Sequence, residues 1–237
     1  MDAMKPFGMA LRDYAQGETS AEMILERDDD LRESLPASVF FRSPSEFSLL
    51  ENAALDLCMG RVLDIGAGAG IHTLALQERG FSVKAIDISP EAVAVMSERG
   101  VKKAECIDIF DYQADSFDTL LLLGHGIGMA GDLMGVDRLL TKARTIINPN
   151  GQLLLHSLDV TCTQDPKHKA YHEINIRAYR YIGEIRLRIL YRGHTGTQYS
   201  WIQLDPDVLK GHAKATGWDM NIIMQEEDGN YLAKLTL

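Results

Sequence analysis

The stretch Val62-Leu-Asp-Ile-Gly-Ala-Gly-Ala-Gly70 decides the fold. An apolar run from Arg61 to Ile65 enters three alternate glycines, and Ile71 to Arg79 then sets Ile71, Leu74 and Leu76 on a core-facing helical side, so the segment reads strand, turn, helix. Glycine permits the tight turn and lets a ligand touch the backbone. The dinucleotide fingerprint G-x-G-x-x-G would require glycine at position 71, where isoleucine stands. Asp64, just ahead of the first glycine, would repel a pyrophosphate and suits a cationic amino group. Read alone, the turn also fits a plain tight β-to-α connection.

Outward from this turn, short apolar runs alternate with helical patterns. Phe81 to Ile86 predicts a second strand, Pro90 opens a helix that Gly100 stops, and Lys102 to Ile107 predicts a third strand. Phe117 to Leu123 reads as a buried central strand, Leu133 to Ala143 recurs at helical spacing, and Asn148-Pro-Asn-Gly151 turns into a strand over Gln152 to His156. This rhythm predicts a doubly wound α/β fold built on a parallel sheet. Asp87 and Asp108 follow the second and third strands, so with Asp64 three acids stand at the strand ends where open α/β sheets bind ligands. A helix cap for Asp87 and a solvated strand end for Asp108 are the competing readings.

Residues 182–191 and 198–204 are β-rich without an intervening helix and read as a hairpin added to the sheet, inside an inserted region 159–204. Asp205-Pro206 opens a helix ended by Gly217, and residues 219–225 and 231–237 flank Asp228-Gly-Asn230 as a terminal antiparallel hairpin. Residues 1–59 lack the alternation and read as an N-terminal lid with a helix over 45–57, leaving 60–237 as the main domain.

Composition narrows the partners. With 24 Lys and Arg against 34 Asp and Glu, the net charge of -10 opposes nucleic-acid backbones and anionic membrane surfaces. No apolar run spans a bilayer and no secretory signal is evident, so the expectation is a soluble, cytoplasmic chain of undetermined oligomeric state. Cys58, Cys106 and Cys162 are widely spaced, which argues against disulfides and structural zinc. His168 and His172 lie four apart with Asp165 and Glu173 nearby, but no H-E-x-x-H pattern supports a metal site, so no metal is assigned.

Four ordered motifs, Val62 to Gly70, Ala85-Ile-Asp-Ile-Ser-Pro90, Glu105-Cys-Ile-Asp108 and Phe117-Asp-Thr-Leu-Leu, resemble those of class I S-adenosylmethionine-dependent methyltransferases over roughly Gly60 to Ser157. The resemblance implies a Rossmann-like seven-stranded sheet of order 3-2-1-4-5-7-6 with a reversed terminal hairpin. It also implies that Gly66, Ala67, Gly68, Gly70 and Gly124 line the S-adenosyl-L-methionine site, Asp64 organises the amino group and Asp87 takes the ribose hydroxyls. Asp108 would meet the adenine amino group between Ile88 and Ile109. The Gly124-His-Gly-Ile-Gly128 segment departs from the Asn/Asp-Pro-Pro-aromatic signature of many amino-methylating members.

On the acceptor side, His125 follows the fourth strand between two glycines and is the first candidate for a general base, against a structural bond to a loop carbonyl. Tyr14, in a segment similar to the lid of small-molecule methyltransferases, is the second catalytic candidate, against simple anchoring of its helix. Phe40-Phe-Arg42 and His72 read as packing and helix-surface residues. Lys167, Lys169, Arg177, Arg180, Arg186, Arg188 and Arg192 make a local basic exception that admits an acidic small-molecule acceptor, although Arg186 and Arg188 also fit one solvated strand face. RNA or protein methylation, a non-catalytic cofactor-binding domain and a nicotinamide oxidoreductase are the other classes the sequence leaves open.

Overall fold

A computed structural model of the chain describes residues 2–113 and 115–237. Helix α1 (Lys5–Ala15) leads into a hairpin of β1 (Glu22–Arg27) and β2 (Arg32–Pro36), and α2 (Leu49–Leu57) follows. Alternation starts at β3 (Arg61–Ile65), α3 (Ile71–Glu78), β4 (Ser82–Asp87), α4 (Pro90–Glu98) and β5 (Ala104–Cys106). It continues through β6 (Phe117–Leu122), α5 (Leu133–Thr145), β7 (Ile147–Leu158) and α6 (Pro166–Arg177). The remaining elements are β8 (Glu184–Tyr191), β9 (His194–Thr195), β10 (Tyr199–Ile202), α7 (Pro206–Ala215), β11 (Asp219–Gln225) and β12 (Asn230–Thr236).

Seven strands form a Rossmann-like sheet in the order β5-β4-β3-β6-β7-β12-β11, the expected 3-2-1-4-5-7-6. Parallel pairing joins β3 to β4 and β4 to β5, whereas β12 returns antiparallel to β7 and β11 antiparallel to β12. The sequence reasons are local. Ser89, Asp132, Asp165 and Asp205 each cap a helix by accepting backbone N–H groups, and Pro90, Pro166 and Pro206 stand in first turns where no N–H is missed. The Asn148-Pro-Asn-Gly151 turn does not precede the fifth core strand but sits within β7 as an irregularity: Phe117 pairs with Ile147 and Thr119 with Gln152.

By its internal contacts the chain divides into two compact units, Met1–Gln113 with Arg186–Tyr199, and Ala114–Ile185 with Ser200–Leu237. In the first, Ala85, Met96 and Val101 pack as one cluster, and Ala10, Ala21, Met23, Ala37, Ile189 and Tyr191 as another. In the second, the core includes Leu120 to Leu122, Leu153 to Leu155, Leu232 and Trp218, whose indole N–H donates to the Leu140 carbonyl at 3.1 Å.

The expected hairpin of the 182–204 region does not extend the seven-stranded sheet. It joins β1 and β2 in a second sheet, β10-β8-β1-β2 with β9 on β8. Glu26 explains the register: on β1 it lies opposite Arg32 of β2 and opposite Arg188 of β8, and its buried carboxylate accepts from both guanidinium groups. The lid reading of residues 1–59 omitted β1 and β2, because the connecting turn is Asp28 to Asp30, with Asp30 in the left-handed region at φ 64°, and carries no glycine or asparagine signal. Met23 is fully buried under this sheet, so Met23→Ala should cost about 2–5 kcal/mol of folding stability in urea titrations. A loss below about 1 kcal/mol would mean that the second sheet has no tightly packed core.

Candidate functional site

The glycine turn is built backbone first. Gly66, Gly68 and Gly70 have φ of 71°, 57° and 80°, the left-handed region that side chains resist. Gly66 and Ala67 N–H groups donate to the Ile86 carbonyl at 2.9 and 3.1 Å, which ties the turn to β4. The Gly68 N–H donates to Asp87 Oδ2 at 2.9 Å, and Asp87 Oδ1 accepts from the Ser89 N–H at 2.9 Å. Burial pushes the Asp87 carboxyl up to about 6 against those two hydrogen bonds. Asp64 on β3 is 2% exposed and accepts from Thr73 Oγ1 at 2.6 Å; burial raises its pKa despite that bond.

Two residues beyond β5, Asp108 is exposed and its Oδ1 accepts the Phe110 N–H at 3.0 Å in an Asx turn. Ile109 is buried and Ile88 is 40% exposed, so a flat apolar ligand would find one of these faces already covered and the other open. Asp64, Asp87 and the glycines are thus brought together by hydrogen bonds and the turn, while Asp108 stands on a separate turn after β5.

The segment ahead of the sheet covers this turn. A β-carbon on Gly8 of α1 would lie 2.5 Å from Ser89 Oγ, and one on Gly68 would lie 3.3 Å from the Phe40 ring, so α1 and the 37–41 turn sit close over the motif. Phe7 and Phe40 meet edge to face at 5.0 Å. Arg99 donates to the Ala69 and Phe40 carbonyls at 2.6 and 3.3 Å and stacks over Phe41 at 4.7 Å. Tyr14, the expected lid residue, lies near the C-terminal end of α1. Its ring packs on Phe41 at 4.5 Å and against the cluster of Ala10, Met23 and Tyr191, so Phe40 and Phe7, not Tyr14, border the glycines.

No motif in the sequence marks the ion network behind this cover. Glu51 on α2 is 5% exposed; it accepts from Arg42 Nη1 and Nη2 at 2.9 and 2.7 Å and from the Ser48 N–H at 2.8 Å, and its Oε1 lies 2.8 Å from His72 Nε2. His72 is therefore a buried partner of Glu51 and not a surface residue. Burial opposes ionisation of Glu51, but the His72 and Arg42 bonds outweigh it and hold the carboxyl far below the usual range.

In the second unit, Gly124 and His125 are consecutive left-handed residues, φ 59° and 61°, after β6. Such backbone in a non-glycine residue costs on the order of 1 kcal/mol and persists where the surroundings impose it. Gly128 lies under the Trp201 ring, where a β-carbon would come within 1.9 Å. The His125 ring stacks on His156 at 4.1 Å, and His125 Nδ1 is buried with no hydrogen-bond partner. His156 Nε2 lies 2.9 Å from Asn230 Oδ1, and Asn230 Nδ2 donates to Asp228 Oδ2 at 2.8 Å, which orients the amide and puts the proton on His156 Nε2. Burial and the neighbouring His156 push the His125 pKa down to about 4. His156, Gln203 and Asn230 carried no motif in the sequence and are placed here by β7, β12 and the segment after β10.

A family model described as a methyltransferase domain matches residues 41–202. A SAM-dependent methyltransferase from Bacteroides fragilis, solved in complex with S-adenosyl-L-homocysteine, is 32% identical with a TM-score of 0.87, over 100% of this chain and 96% of that one. The ubiquinone biosynthesis O-methyltransferase of Xanthomonas oryzae pv. oryzae is 28% identical over 118 residues, 46% of this chain and 48% of the relative. The chain thus spans about half the length of the curated relatives it matches. A SAM-dependent methyltransferase from Methanosarcina mazei shares the fold at 15% identity, with a TM-score of 0.61 over 81% of this chain and 98% of that one. Among the described residues, no helix is long and apolar enough to cross a membrane.

Glu51 also sets an acid sensitivity. Its folded pKa lies below the ordinary 4.5, so its contribution is present above that value and is lost as the pH falls through the folded pKa. Glu51→Gln should cost about 3–5 kcal/mol at neutral pH and less in acid, read by urea denaturation at the two pH values. An equal loss at both would show that the charge is not what Arg42 and His72 recognise.

Proposed function

Because the chain belongs to the class I S-adenosylmethionine-dependent methyltransferases, we propose that it transfers the methyl group of S-adenosylmethionine to a small organic acceptor. The observation that carries this reading is the cradle at Gly68, where a left-handed glycine gives its N–H to a buried Asp87 and leaves no room for a side chain. The residues present fit the cofactor. Asp64 is a buried carboxylate whose ionisation a cationic amino group would favour, Asp87 retains acceptor capacity for a ribose diol, and Gly66 to Gly70 present backbone without side chains. Exposed Ile88 suits an apolar face of an adenine, and exposed Asp108 its hydrogen-bonding edge. When bound, S-adenosylmethionine supplies an electrophilic methyl on a positive sulfur that is its own leaving group.

The chain's own work is then to orient the acceptor, exclude water and take a proton. His125 is the group assigned to that proton. In the tautomer protonated at Nε2, its unpartnered Nδ1 offers a lone pair, and a pKa of about 4 keeps the ring neutral near pH 7. His156, fixed by Asn230, holds the His125 ring by stacking. The curated O-methyltransferase relatives support a hydroxyl acceptor. Cytoplasmic placement belongs to the same reading and is supported by the cysteines, free at Cys58, Cys106 and Cys162.

Transfer of label from methyl-labelled S-adenosylmethionine to a product in a metabolite extract tests the function; no labelled product from any extract, with S-adenosylhomocysteine bound, would reduce the chain to a binding protein. Asp87→Ala should weaken S-adenosylhomocysteine by about 1.5–3 kcal/mol, ten- to hundredfold, in calorimetry. Since a protonated Asp87 is a poorer acceptor, wild-type affinity should fall as the pH drops below about 6, and Asp87→Ala should remove that dependence. A pH-independent wild type would sink the ribose assignment. Once the acceptor is known, His125→Ala should cut turnover at least about tenfold and leave S-adenosylhomocysteine affinity within about threefold; wild-type turnover would remove His125 from the chemistry.

A further inference from the structure

The basic side chains of residues 167–192 are not equivalent. Arg188 is bound to Glu26, Arg192 holds Asp13 and Glu18 at 2.7 Å each, and Lys169 donates to Gln164 Oε1 at 2.8 Å. Arg180 differs. Its Nε and Nη1 are buried and have no hydrogen-bond partner among the described residues. The two acids bonded to the adjacent Tyr181 are committed: Asp205 accepts the Tyr181 hydroxyl at 2.6 Å and caps α7, and Glu184 Oε1 accepts the Tyr181 N–H at 3.3 Å. Arg180 as a whole is half-buried, so its guanidinium has two nitrogens withdrawn from water with no acceptor among the described residues.

A second buried group, in the last turn of α6 just ahead of this loop, is also unsatisfied. Asn175, fully buried, donates its amide to the Ile182 and Glu184 carbonyls at 2.9 and 2.6 Å, which fixes the amide orientation and leaves Oδ1 without a donor. The Arg180 N–H is anchored to the Asn175 carbonyl at 2.9 Å. The loop ends at Gly183, whose carbonyl accepts the Gln203 N–H at 2.9 Å. Gln203 Oε1 takes the Ser157 hydroxyl and the Leu158 N–H of β7. The unpaired cation therefore belongs to a loop resting on Gln203, which is bonded to β7 next to His156, the residue that stacks on His125.

We infer that Arg180 binds an anionic group, carboxylate or phosphate, carried by the methyl acceptor. A charge-assisted hydrogen bond to such a group satisfies the two orphan donors, and it makes the acceptor an acidic small molecule. This rests on the methyltransferase reading for the word acceptor, though anion binding by Arg180 does not.

The test uses the full chain, labelled with 15N-arginine and saturated with S-adenosylhomocysteine, titrated with benzoate and, separately, with inorganic phosphate, each against chloride at matched ionic strength. The Arg180 Nε–H resonance should shift saturably with at least one of the two anions. Binding should weaken at least about tenfold in Arg180→Gln and stay within about twofold in Arg177→Gln, which changes an exposed arginine of α6. A resonance that no anion moves beyond the chloride control would overturn the proposal and mark Arg180 as satisfied by buried water. Should Arg180→Gln not fold, the wild-type titration decides alone. Failure of S-adenosylhomocysteine to bind the wild type, with the anion shift intact, would instead refute the methyltransferase reading.

Discussion

One hydrogen bond organises the cofactor side of the molecule, the one from the Gly68 N–H to Asp87 Oδ2. It joins the turn after β3 to the end of β4 and requires a left-handed residue at 68, so glycine is dictated there by backbone and by the Phe40 ring together. It also keeps a carboxylate in a place that burial makes hostile to charge. Burial raises the pKa values of both Asp64 and Asp87, and the Asp64 charge adds to the cost of ionising Asp87. A site that carries two such acids is electrostatically unfavourable when empty, and a cationic, hydroxyl-rich ligand relieves it, so ligand binding and folding stability are linked.

The cover over this turn is held by charge as much as by packing. Arg99 grips the carbonyls of Ala69 and Phe40, and Glu51 gathers Arg42 and His72 on the other side. Both anchors are buried or half-buried ion contacts whose partners come from separate elements, and such contacts specify position more than they add net stability. Phe40 is thereby held at the glycines through its own backbone carbonyl, which Arg99 also ties to Ala69 of the turn.

What was legible in the sequence follows from range. The strand, turn and helix around Gly66, the second strand ending at Asp87 and the terminal strands 219–225 were readable because their signals lie within a dozen residues: periodicity, glycine and a proline in a first turn. The same local logic placed Asp64, Asp87 and His125 at strand ends. Glu51 was not readable, since its role depends on Arg42 and His72 arriving from two other elements, and a glutamate in the first turn of a helix looks like an ordinary capping residue. His156 and Asn230 are likewise 74 positions apart and meet only when β12 lies on β7. Tyr14 sits about two helical turns beyond Phe7 on α1 and packs on Phe41, a contact that no local signal in the sequence marks.

The second sheet imposes an order on biosynthesis. Strand β1 ends at Arg27, yet its partner β8 begins at Glu184, so the N-terminal hairpin leaves the ribosome long before the strand that completes its sheet. During that interval Glu26 can pair with Arg32 but not with Arg188, and Met23 lacks Ile189 and Tyr191 as a cover. Contacts of this sequence separation are slow to close, and an unpaired edge strand is exposed to aggregation while it waits. The nascent chain therefore depends on a late-arriving segment, and any truncation ahead of residue 184 would leave the first-made strand as an unprotected edge.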